Sequence, residues 1–311
     1  MRYLLRRLII SLLTMWLVVT FSFFLVHTMP GNPFATKELL GVDMQQRLIH
    51  YYGLDKPLVE QYITYLSNLL HGNLGFSYRN PGQTVNSIIQ TSFPISAQIG
   101  LMAFVPGILL GILLGVTSVI HKDQLIDRSV VTYSVINAAL PVFVLASLLQ
   151  YFFAAKWKLL PSARWGTPRQ MILPVLTIMI GICAGKARAV RTMLIEICGE
   201  DFMQVGRARG ISTRRLMYRH GVRNALIPLL SPTGMELASV LTGTFVVEQV
   251  YAIPGFGTQY VNAVKSLDYS VILGMTIFYT VLIVALNFLV DLLYCAIDPR
   301  IRLSGGKGAA A

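Results

Sequence analysis

Long apolar runs, separated by shorter polar stretches, fill most of this chain, and their lengths are those of membrane crossings. A helix needs about 20 predominantly apolar residues to cross the hydrocarbon core. Six stretches meet that length: 8–29, 95–120, 129–155, a fourth beginning near 171, 226–250 and 270–297. The first contains WLVVTFSFFLV and carries no formal charge. The fourth runs apolar to Gly185, then continues as a helix with Lys186, Arg188 and Arg191. The fifth is interrupted by Glu236. Pro106, Gly107, Gly111 and Gly115 within the second suit a membrane helix that neighbours approach closely. The pattern predicts an all-α integral membrane protein with six transmembrane helices, residues 1–311 forming a single transmembrane domain.

Two regions break the pattern. The external loop 30–94 is too long for a simple connector. Its middle, YGLDKPLVEQYITYLSNLLHGNLG, places Leu58, Tyr62, Leu66 and Leu69 at helical spacing. Asp55 before Lys56-Pro57 suits a helix start, so this loop is expected to be a small structured cap. The second region is the loop at about 197–225, EDFMQVGRARGISTRRLMYRHGVRNA in its core. It is too polar to span. Phe202, Val205 and Ala208 are spaced for one apolar face of a short helix. Gly210 can take the left-handed conformation that ends a helix, and Ser212 or Thr213 can cap the next. The expectation is a short arginine-flanked helix that docks into a cleft on another protein.

Composition supports the membrane reading. Hydrophobic residues make up 54% of the 311 and charged residues 13%, against about 25% charged in soluble domains. The mean hydropathy is +0.61. The net charge of +12 follows the positive-inside rule rather than nucleic-acid binding, since no basic stretch is interleaved with base-stacking aromatics. Most Lys and Arg fall on the side of the two termini, which places both termini in the cytoplasm. Lys156, Lys158, Arg164 and Arg169 fall on the opposite side, against this trend. Cys183, Cys198 and Cys295 lack metal-ligand spacing and read as small buried hydrophobes. The first apolar stretch is too long for a signal-peptide core and is expected to be retained. The end, SGGKGAAA at 304–311, reads as disordered.

The loop at 197–225 resembles the EAA-type loop of ABC importer permeases. Its pattern is Ala208-x-Gly210 followed by His220, Asn224 and Pro228, similar to the variant in the dipeptide/oligopeptide/nickel permease family. Gln204-Val205-Gly206 stand where other ABC importers carry Glu-Ala-Ala. PGNPF at 30–34, YGLDKPLVEQY at 52–62, GNLGFS at 72–77, EQVYAIPGFG at 248–257, LDYSVILG at 267–274 and NFLVDLLYCAIDPRIR at 287–302 resemble the same family, in its order and over nearly the whole chain. The likeness is to its first-permease type.

The resemblance implies the six-helix fold of type I ABC importer permeases in a bacterial inner membrane. It implies a second homologous permease, two ATP-binding-cassette ATPase subunits and an extracytoplasmic solute-binding protein. ATP and Mg would be bound by the ATPases, with no cofactor in this chain. Phe202, Val205, Gly206, Arg207, Ala208, Arg209, Gly210, His220, Asn224 and Pro228 would form the ATPase-coupling element. The expected cargo is di- or oligopeptides; the alternatives are nickel or a metal chelate, and a secondary transporter. No phosphate-cradling Gly-x4-Gly-Lys-Ser/Thr, HExxH or nucleophile elbow is present, so the chain reads as a transporter subunit and not an enzyme.

Glu236 either faces the translocation pathway or pairs with a polar group on another helix. Asn287 is a further pathway candidate, set against a role bridging helices. Asp291 and Glu248 read as structural, His27 as an interfacial polar group, 254–257 as a tight external turn, and Asp298-Pro299 as a helix end.

Overall fold

A computed structural model describes residues 2–28, 42–51, 53–80 and 82–297. The PGNPF segment, Asp298-Pro299 and the 304–311 tail lie outside the described residues, as do the side chains of Asp291 and Cys295. Among the described residues the secondary structure is helical except for one antiparallel bridge, Phe76 to Thr84. Helices α1 to α13 are Arg2–Thr28, Val42–Tyr51, Leu58–Leu70, Val85–Ile120, Leu125–Ala139, Val142–Leu149, Pro168–Cys198, Asp201–Ala208, Thr213–Leu216, Val222–Leu241, Phe245–Val250, Phe256–Lys265 and Tyr269–Ile297. Two wider π-helical stretches, Gln150–Lys156 and Met217–Gly221, extend α6 and join α9 to α10.

Among the described residues, four helices are long and apolar enough to cross a membrane: Ile9–Thr28 of α1, α4, α7, and Tyr269–Val290 of α13. At 36 and 31 residues, α4 and α7 reach about 54 and 46 Å, beyond a hydrocarbon core of about 30 Å. The uninterrupted third crossing expected at 129–155 is instead a broken one. Helices α5 and α6 meet at 106°, because Pro141 supplies no N–H and drives Leu140 to an extended φ −85°, ψ 120°. The fifth expected stretch, 226–250, is likewise divided into α10 and α11, with Gly243 at φ +84° between them. A Cβ at Gly243 would collide with Glu248 Oε1, so both the conformation and the space require glycine there.

The chain forms two compact units. The first comprises residues 1–94 and 256–284. Phe23, Val26, Val85, Ile88, Ile89 and Met275 form its core. Tyr62 and Tyr65 of α3 pack on Phe23, and the Tyr62 hydroxyl bonds Thr20 Oγ1 at 2.6 Å. The amphipathic face expected on this helix is thus carried largely by tyrosines, while Leu58 is exposed. Asp55 does not cap α3. Its carboxylate meets the His50 ring at 2.7 Å, and that hydrogen bond holds it below the usual carboxylate range. Buried Asp268 accepts from Ser77 Oγ at 2.5 Å and from the Tyr78 and Arg79 N–H groups at 3.1 and 3.3 Å. It thereby ties the 77–79 turn to the start of α13.

The second unit comprises residues 95–255 and 285–311. Its mast is α7, begun by a capping box between Thr167 and Gln170 with Pro168 in the first turn. Helix α4 lies close along it. Gly107, Gly111 and Gly115 face Ile182, Lys186 and Val190, and a Cβ at Gly111 would sit 2.6 Å from Lys186 Cβ and 2.8 Å from the Cys183 carbonyl oxygen. Cys183 is buried, as expected, whereas Cys198 is only half-buried. Tyr251, after α11, donates to the Ala146 carbonyl at 3.0 Å and meets Thr177 Oγ1 at 3.1 Å. Glu248 is also buried and accepts from Ser96 Oγ at 2.5 Å.

Gly111→Leu should overpack the α4–α7 contact and cost about 1–3 kcal/mol, whereas Gly185→Ala, with nothing within 4 Å, should be tolerated. The yield and melting temperature of detergent-purified protein measure the difference.

Candidate functional site

The loop between α7 and α10 folds as the sequence pattern requires, but its anchors are not those the pattern emphasised. On α8, Met203 and Gly206 turn inward. Met203 is fully buried with Val116, Val190, Leu194, Leu216 and Met217. A Cβ at Gly206 would lie 2.5 Å from Leu216 Cδ1, so glycine lets α8 lie against α9. Phe202 and Val205 remain 43% and 49% exposed, and Ala208, Arg207 and Arg209 are exposed with them. The apolar face expected at 202, 205 and 208 is therefore the outer one.

Helix α8 ends in a Schellman motif. Gly210 has φ +74°. Its N–H donates to the Arg207 carbonyl at 2.9 Å, and the Ile211 N–H to the Gly206 carbonyl at 3.2 Å. These two bonds satisfy carbonyls that the helix end would leave open. The chain then turns into α9, where Arg214 and Arg215 are exposed. The Met217–Gly221 π-helical stretch returns it to α10. Asn224 is exposed in the first turn of α10. The side chains of His220 and Pro228 lie outside the described residues. The result is an eight-residue helix held from beneath and presenting two large hydrophobes and two arginines outward.

Along the sequence, Lys186, Arg188 and Arg191 are only charges that mark one side of the membrane. In the structure they are engaged inside the second unit. Arg191 grips Asp127 at the start of α5 with two bonds of 2.7 and 2.9 Å, and Ser118 of α4 donates to the same carboxylate. Arg188 donates to the Ser134 carbonyl at 2.5 Å. Lys186, 7% exposed, meets Glu236 Oε2 at 2.5 Å and Thr233 Oγ1 at 3.3 Å. Glu236 thus has an α7 partner, and its side chain stays 32% exposed. Asn287 lies across from Gly234, where a Cβ would approach its Oδ1 to 2.8 Å. The i, i+2 and i+5 spacing along α7 gives no hint of these partners, since two of them sit on α5 and the third on α10. No group of three or more His, Cys, Asp or Glu able to hold a metal occurs among the described residues.

Comparison with known proteins gives two kinds of likeness. Residues 107–303 match the family described as binding-protein-dependent transport system inner membrane component, and residues 1–100 match the N-terminal segment of such membrane components. The dipeptide transport system permease protein DppB of Bacillus subtilis is 36% identical over 302 residues, covering 97% of this chain and 98% of the relative. The oligopeptide transport system permease protein OppB of Haemophilus influenzae is 34% identical over 304 residues, covering 97% and 99%. Among solved structures, the inward-facing MetNI methionine ABC transporter aligns with TM-score 0.53 at 16% identity, covering 68% of this chain and 96% of that one. An amino acid ABC transporter aligns with TM-score 0.54 at 15% identity, covering 68% and 94%. These two show the fold.

At Gly210 the constraint is conformational, because nothing lies within 4 Å of a Cβ built there. Gly210→Val should cost about 1–2 kcal/mol and loosen the turn, while Gly210→Asn should cost less. Amide hydrogen exchange across 207–212 would report both.

Proposed function

The chain belongs to the family of binding-protein-dependent transport system inner membrane components, and from that premise we propose that it is the permease subunit through which an ABC importer moves di- or oligopeptides into a bacterial cell. It is a multi-pass protein of the inner membrane. The observation that carries the peptide assignment is the near end-to-end likeness to dipeptide and oligopeptide permeases, 97% of this chain against 98–99% of theirs. The identity is 34–36% over that length.

The working assembly in this reading has a second homologous permease, two ATPase subunits that bind ATP and Mg, and a solute-binding protein on the outer face. Both termini and the α8 turn lie in the cytoplasm. Phe202 and Val205 fill an apolar groove on one ATPase, while Arg207 and Arg209 meet acidic or carbonyl groups at its rim. Two exposed hydrophobes alone would need no partner. Their placement on a helix clamped from below by Met203, Leu216 and Met217 is what supports docking, because a pre-ordered helix loses little entropy on binding. ATP draws the ATPases together, α8 moves with them, and α7 carries that displacement through Leu194 and Val190. ATP and the loaded binding protein supply the differential affinity that any such shift of states requires.

Two measurements test this. Phe202→Ala combined with Val205→Ala should weaken ATPase capture by at least about tenfold, on the scale of a lost interface anchor, while leaving the permease in the membrane; co-purification reads the outcome. In proteoliposomes, the full complex should take up labelled alanyl-alanine only with ATP and binding protein. Uptake of nickel without uptake of peptide would overturn the cargo, and uptake without nucleotide would overturn the mechanism.

A further inference from the structure

The α7–α10 contact carries polar groups that neither lipid nor the ATPase interface requires. Thr233, Glu236 and Ser239 recur at three-residue intervals on α10; the first two are half-buried and Ser239 is exposed. On α7, the residue next to Lys186 is Gly185, which is exposed, with nothing within 4 Å of a Cβ built there. A lipid-facing stripe looks different: on α1 the outward positions are Leu12, Leu13 and Phe21. Polar and charged groups left partly open within a membrane-spanning bundle face a water-filled cavity or each other.

Within this stripe the two charges are unequally placed. Lys186 is 7% exposed and holds two acceptors, Glu236 Oε2 at 2.5 Å and Thr233 Oγ1 at 3.3 Å. By side chain alone, Glu236 is 32% exposed against 9% for Lys186. A carboxylate has about four lone-pair directions over its two oxygens, so one ammonium does not saturate it. The buried lysine fixes the carboxylate and keeps the site neutral overall, while the exposed portion remains open to a second cation.

We propose that Glu236 is the acceptor for the α-ammonium group of a passing peptide, with Lys186 as its positioning residue. This rests on the peptide-permease reading above. When the peptide ammonium docks, Lys186 retains Thr233 as an acceptor and shares the carboxylate. When the peptide leaves, the Lys186–Glu236 pair closes again, and no unpaired charge is left in the membrane. No bond is made or broken; the step is an exchange of hydrogen-bond donors on one carboxylate.

The test compares variants in the complete complex, with binding protein and ATPases, by uptake of labelled alanyl-alanine at saturating binding protein. A purely structural ion pair predicts that the neutral double variant, Lys186→Gln with Glu236→Gln, transports as the native protein does, since removing both charges together is commonly neutral for folding. The ammonium-acceptor role predicts that this variant lowers maximal uptake about tenfold, the scale of one charge-assisted hydrogen bond. Glu236→Asp, which keeps the carboxylate, should restore uptake to within about threefold of native on the same scale. Glu236→Gln alone is the second variant; because it leaves Lys186 buried without its counter-charge, its uptake is read per amount of recovered complex and must show the same loss. Native uptake in either glutamine variant overturns the proposal, as does equal loss in Glu236→Asp. Absence of peptide uptake by the native complex overturns the peptide reading itself and the proposal with it, an outcome distinct from failure of the variants alone.

Discussion

The close approach of α4 to α7 is the contact on which the second unit depends. Glycines at 107, 111 and 115 remove the side chains that would hold the two helices apart, and atoms of α7 fill the space. In lipid there is no hydrophobic gain from putting one apolar helix against another, so such proximity supplies dispersion contact instead. Once α7 is fixed along α4, its polar residues have definite positions. Arg191 reaches α5, Arg188 reaches the Ser134 carbonyl, Lys186 reaches α10, and Leu194 supports α8. The membrane core and the cytoplasmic helix of the proposed mechanism are therefore joined through one continuous element.

The charges on α7 illustrate a second constraint. A charge inside a bundle is costly unless paired and hydrogen-bonded. The fold meets that condition by drawing each partner from a different helix: Asp127 from α5 and Glu236 from α10. Each pair fixes the relative position of two helices at one height. The same logic governs the irregular backbone. Chain that leaves the helical pattern within a membrane bundle has to be covered by protein. The segment after Gly243 meets this requirement: Glu248 is buried against Ser96, and the Tyr251 hydroxyl bonds α6 and α7.

Much of the fold is legible from the chain. The apolar runs mark α1, α4, α7 and α13, and the amphipathic stretch at 58–70 marks α3. The glycine at 210 marks the end of α8, because only a residue without a Cβ takes that φ cheaply. Pro141 and Gly243 are equally visible as residues, yet they do not announce a break, since a proline or glycine within a long apolar run is also compatible with an unbroken membrane helix. Of the candidate site, residues 202–210 are legible as a docking helix, and Glu236 stands out as a carboxylate in an apolar run.

By itself, the sequence determined that the chain is a helical membrane protein with a short arginine-flanked helix between α7 and α10, because hydrophobic length, charge and glycine placement act locally along the chain. Only the tertiary structure decided that Met203 and Gly206 anchor that helix while Phe202 and Val205 face outward. It also decided that Lys186 is the partner of Glu236 and that Arg191 is the partner of Asp127. Those choices depend on which helices pack together and at what rotation, and ion pairs between residues 50 and 64 positions apart leave no trace in local periodicity.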